Sequence, residues 1–73
     1  MLLKITDHAM TRLAKRVSPN YKACQAFVEG CLNDGEYLEF NDDPIRGRRH
    51  IMAYCGYKFV FGADGALITV YSP

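Results

Sequence analysis

The chain has 73 residues, with nine Lys plus Arg, eight Asp plus Glu and two His, for a formal net charge of +1. This length allows one small domain and excludes multi-domain enzymes and dinucleotide-binding folds. The near-neutral total also argues against a histone-like nucleic-acid binder, which would be basic throughout.

A chain this short buries only about 60% of its unfolded surface, so a partner or an oligomer can supply part of its stability. Its charge is unevenly spread. Residues 1–22 carry Lys4, Arg12, Lys15, Arg16 and Lys22 against Asp7. Residues 23–44 hold no Lys or Arg but contain Glu29, Asp34, Glu36, Glu39, Asp42 and Asp43. Residues 45–73 return to Arg46, Arg48, Arg49 and Lys58 against Asp64. A fold that joins the two basic ends would present a patch suited to a phosphate-bearing partner.

In chain order, Thr6 and Asp7 are both candidate N-caps for a helix over about 6–17, whose stripe is Ile5, Ala9, Leu13 and Val17. Ser18-Pro19 then reads as cap and first helical position of a second helix over about 18–33. Its buried face is Tyr21, Cys24, Phe27, Val28, Cys31 and Leu32, and Gly35 is expected in the left-handed position after its end.

The period then changes to that of strands, expected at about 37–41, 46–55, 57–62 and 66–71. Asn41-Asp42-Asp43-Pro44 reads as a turn cluster, and Asp64-Gly65 carries a hairpin signal. Two helices followed by four strands define an α+β class, an antiparallel meander sheet packed on a helix pair. Both faces of the last hairpin are partly apolar, so its second face calls for a cover: a partner chain, a second copy, or the Met1-Leu2-Leu3 segment.

The three cysteines read as buried hydrophobes in a reduced, cytoplasmic protein, since no secretory h-region precedes them and the number is odd. Cys24 and Cys31 are about 10.5 Å apart along a helix axis, too far for a direct bridge. No apolar run approaches the ~20 residues of a membrane span. No zinc spacing, glycine-rich phosphate loop or nucleophile constellation is present, so any chemistry is expected to need neither metal nor cofactor.

Three groups are candidates for a site. His8, Arg12 and Arg16 form a row at i, i+4 and i+8, roughly 120° round the first helix from its apolar face. They can lean over a sheet edge toward a ligand, or equally be solvated helix charges. Arg46, Arg48, His50, Met52 and Tyr54 share one face of the long strand. Arginine forks bind phosphate oxygens, and an imidazole moves protons near neutral pH, so this row suits phosphodiester chemistry. Arginines that guard an exposed strand against aggregation fit as well. Thr69 and Tyr71 share a face of the last strand, as hydrogen-bonding groups or as core; Tyr54 and Tyr57 can stack on bases.

The run from Thr6 to Ser18 resembles the HxxxRxxxR opening of an uncharacterised bacterial and phage domain family. In that family a second helix, an "RGR-H" strand and a closing "G-ITVY" strand follow. Here these stand as Arg46-Gly47-Arg48-Arg49-His50 and Asp64-Gly65-Ala66-Leu67-Ile68-Thr69-Val70-Tyr71. That family is similar to the RelE, ParE and BrnT toxins and to the wider barnase, EndoU, colicin and RelE fold.

The resemblance implies a toxin-like endoribonuclease that cuts RNA without metal by acid-base chemistry at the 2'-hydroxyl. By that reading His8 and His50 transfer protons and Arg12 and Arg16 orient them or bind phosphate. Arg46 and Arg48 grip the scissile phosphate, and Thr69 and Tyr71 add hydrogen bonds. It also implies an antitoxin or host protein as partner, while a homodimer is the expectation that the short chain and the two apolar sheet faces leave open. A non-catalytic binding or inhibitor module is the alternative, because ParE-like members share the fold yet act on gyrase.

Overall fold

The computed structural model describes residues 4–43 and 47–72. Two helices, α1 (Asp7–Arg16) and α2 (Tyr21–Asp34), precede four strands, β1 (Glu36–Asp43), β2 (Gly47–Tyr54), β3 (Tyr57–Gly62) and β4 (Leu67–Tyr71). The strands form one antiparallel meander in the order β1-β2-β3-β4, so the fold is α+β with the helices before the sheet.

The core is where α1 and α2 lie on one face of the sheet. Ala9 and Leu13 from α1 and Cys24, Val28 and Cys31 from α2 meet Phe59, Phe61, Leu67 and Val70. Phe27 completes the layer, with ring centroids 5.3 Å from Tyr54, 5.4 Å from Tyr57 and 5.6 Å from Phe59. Aromatic pairs at these separations add attraction beyond the area they bury.

Local chemistry places the ends of the elements. Thr6 is the N-cap of α1: its hydroxyl oxygen accepts from Ala9 N–H at 3.2 Å and its O–H donates to the carbonyls of Leu67 and Ile68. The second cap corrects the expectation at Ser18-Pro19. Ser18 Oγ accepts from Asn20 N–H at 3.1 Å, and this short turn hands capping to Asn20, whose side chain accepts from Ala23 N–H. Gly35 is also not left-handed; its φ of −69° and ψ of 159° run the chain straight from α2 into β1.

The acidic cluster is a second correction. Asn41, Asp42 and Asp43 extend β1 rather than turn, because they register with Arg49, Arg48 and Gly47 across the ladder. The connection is thereby confined to residues 44–46, which lie outside the described residues, as do Arg46 and the Met1-Leu2-Leu3 segment. At the next hairpin β2 stops at Tyr54, and Cys55 and Gly56 make the turn with φ of 52° and 83°. Positive φ at both central positions is what a two-residue hairpin with the native strand twist requires. Cys55 is therefore exposed and not the buried hydrophobe expected, whereas Cys24 and Cys31 are buried.

The two edges of the sheet differ. The outer edge of β4 is closed: Ile5 bridges Leu67 in parallel, Leu67 N–H donates to Lys4 O, and Thr6 N–H donates to Leu67 O. Arg16 Nη1 adds a 2.6 Å bond to Val70 O, and Tyr57 O–H holds the carbonyl of Arg16 at 2.9 Å. At β1, every side chain from Glu36 to Asp42 is exposed, and no described segment bonds to the strand's outer edge.

Candidate functional site

His50 stands on the helix-facing side of β2, in register with Phe40 of β1 and Phe61 of β3. Its Nδ1 shares a 2.8 Å hydrogen bond with the Tyr37 hydroxyl, and its ring centroid is 5.0 Å from that of Phe40. When the ring carries its proton on Nε2, the tyrosine donates to Nδ1. The pair lines a groove of about 240 Å3 with Leu32 at the end of α2, Met52, Phe61 and the β3–β4 turn. Around it the surface is unusually apolar: Leu32 is 45% exposed, Tyr37 52%, Leu38 43% and Phe40 48%. Half-exposed apolar side chains at adjoining positions form a continuous apolar strip beside the groove.

Tyr37 and Phe40 owe their place to a bulge. The ladder pairs Tyr37 with Met52 and Glu39 with Ile51, so Leu38 is an extra residue in β1. The insertion shifts the phase of the strand. Glu36 and Glu39 fall on the face away from the helices, while Tyr37 and Phe40 fall on the helix side beside His50. Simple alternation would have put Tyr37 with Glu39, which is why Tyr37 is absent from the residues that sequence reasoning singles out.

The expected catalytic residues are not gathered at one point. His8 is exposed in the first turn of α1, an element that packs on β4. The ladder runs from His50 to Phe61, then Leu67, then Ile5. Three strand spacings, about 14 Å, thus separate His50 from the segment that leads into His8. The partner of His50 is Tyr37, not His8. Arg12 is half-buried on α1. Arg16 has its guanidinium on the Val70 carbonyl, a bond that ties α1 to the β4 edge.

On β2, Arg48 is exposed on the same face as His50, with Asp42 as its register partner. Tyr54 lies inside the helix–sheet interface: a Cβ on Gly30 would come within 2.6 Å of its hydroxyl, and its ring rests on Phe27. Nearby Cys55, then burial, raises its phenol above the ordinary value. Phe27 packs on Tyr54 at a tilt of 54°, and the hydroxyl of Tyr57 donates to Arg16 O.

Thr69 and Tyr71 register with Val60 and Lys58 on the opposite face of the sheet from His50, Thr69 buried and Tyr71 exposed. A second cavity of about 450 Å3 lies on that face, lined by Ile51, Lys58, Val60, Tyr71 and Ser72. Arg49 is on this face too, its Nε buried with no hydrogen-bond partner among the described residues. Among the described residues no group of three or more His, Cys, Asp and Glu is arranged to hold a metal ion. Among them, too, no helix is long and apolar enough to cross a membrane.

The thiols have different environments. Burial, and next the nearby Cys55, push the Cys31 thiol up to about 11. Thiolate is the reacting form, so a disulfide reagent at about pH 8 is expected to modify Cys55 quickly and Cys24 and Cys31 only after denaturation. Fast loss of a second thiol from the folded protein would show that the α2 face is not closed.

Compared with known protein families, curated proteins and solved structures, the chain matches none.

Proposed function

We propose that the chain is a non-catalytic binding module that takes a protein partner by strand addition along β1. The observation that carries this is the asymmetry of the sheet. Lys4 to Thr6 and Arg16 close the β4 edge, whereas the eight-residue β1 edge is open and flanked by exposed Tyr37, Leu38 and Phe40. An incoming strand gains main-chain hydrogen bonds from the edge and side-chain pockets from alternate positions. The likeness of Thr6 to Ser18 to the toxin-related family supports an antitoxin or a host protein as the class of partner.

A second reading rests on the 2.8 Å bond between Tyr37 and His50, with Arg48 on the same face. This set could bind a phosphodiester and move one proton of RNA cleavage at the 2'-hydroxyl.

Two assays separate the readings. Immobilised wild-type protein and an Arg12→Glu control should retain the same protein from a cell extract, and a Tyr37→Lys/Phe40→Lys variant should lose it. Retention by that variant would overturn strand addition at β1. In EDTA with single-stranded RNA, no cleavage is expected from wild type. Release of 2',3'-cyclic phosphate ends by wild type and by His8→Ala, but not by His50→Ala, would establish the enzyme reading instead.

A further inference from the structure

We propose that the strand received by β1 is amphipathic and cationic, with Lys or Arg alternating with apolar residues; this rests on the binding reading above. The bulge at Leu38 sorts the side chains of β1 by face. Glu36 and Glu39 lie on the side away from the helices, and Tyr37 and Phe40 on the helix side. An added strand has the same two-residue period. Its residues on the open side therefore meet two carboxylates, and its residues on the helix side extend the aromatic surface beside His50.

Charge decides what those open-side residues are. No Lys or Arg occurs from residue 23 to residue 44, so β1 itself offers an arriving carboxylate no cation; Arg48 and Arg49 stand one strand further in, opposite Asp42 and Asn41 at the far end from Glu36. A basic side chain opposite Glu36 or Glu39 is favoured, and an acidic one is repelled. The same argument disfavours a second copy of the chain. Two β1 strands laid side by side would bring an edge with three exposed acids, Glu36, Glu39 and Asp42, against itself. Nucleic acid is disfavoured there for the same reason.

The test uses three end-capped octapeptides, alternating Lys-Val, Thr-Val and Glu-Val, titrated into the labelled full chain and followed by amide shifts and amide exchange. The Lys-Val peptide should protect β1 amides and bind roughly tenfold more tightly than Thr-Val, with the margin shrinking in salt. A Glu36→Lys/Glu39→Lys variant, its fold checked by the spectrum of the free protein, should reverse the preference toward Glu-Val. If Thr-Val or Glu-Val protects wild-type β1 as well as Lys-Val does, strand addition stands and the cationic partner is overturned. If no peptide protects β1 amides, the docking reading fails as well. Dimerisation of the chain that protects β1 without peptide would assign the edge to a second copy and overturn the inference.

Discussion

Phe59→Ala is expected to remove about 3–5 kcal/mol of stability, a large part of what a domain of this length has. Phe59 is fully buried in β3, between Met52 of β2 and Val70 of β4 in the register of the sheet. Its ring lies 5.6 Å from Phe27, 6.4 Å from Phe61 and 6.5 Å from Tyr54, so it is the point where both helices' apolar layer and the sheet converge. Removing a buried phenylalanine costs about 3–5 kcal/mol, because the atoms lose their transfer energy and leave a cavity. A domain of this length is stable by only about 4–11 kcal/mol. Urea unfolding followed by circular dichroism measures the difference. A loss below ~1 kcal/mol would mean that the core is not centred on this ring.

Gly35→Ala is expected to destabilise by about 1–3 kcal/mol, through contact and not through backbone strain. The φ of Gly35 is one that any residue adopts. A Cβ there would collide with the Cys31 carbonyl oxygen and sit 3.1 Å from both the Ala53 carbonyl oxygen and the Cys31 sulfur. The two carbonyls belong to the end of α2 and to β2, and neither yields without moving an element. Gly65 offers the opposite case, since no atom lies within 4 Å of its would-be Cβ but its φ is +84°. Thermal unfolding of the two alanine variants tests the distinction. A Gly35→Ala protein that melts with wild type would show that the α2–β1 junction is looser than described.

The elements of the fold are legible because their signals are local. Ala9 and Leu13 repeat at helical spacing and are buried; His50, Met52 and Tyr54 alternate and share a face. What the sequence conceals depends on neighbours far along the chain. Asp42 reads as a turn residue until Arg48 is seen opposite it in the ladder. Leu38 reads as an ordinary strand residue, although its insertion decides which of Tyr37 and Glu39 meets His50. The candidate site was half visible for this reason: His50 and Arg48 stand out as residue types, while Tyr37 gains its meaning only from the bulge. Thr69 and Tyr71 were rightly placed on a common face, but which face it is depends on the register with Val60 and Lys58.

Thr6 and the β4 carbonyls it binds are 61 and 62 positions apart in the chain. α1 is thus made before the strand on which Thr6 anchors it. Until β4 has been made, the apolar stripe of Ala9 and Leu13 has only α2 to lie against, and a helix of ten residues is marginal by itself in water. Closing so long a loop early is entropically unfavourable, so α1 is expected to dock on β4 after the hairpins and α2 have formed. In vectorial synthesis the stripe of α1 therefore waits, uncovered on its β4 side, until the strand it docks on has been made.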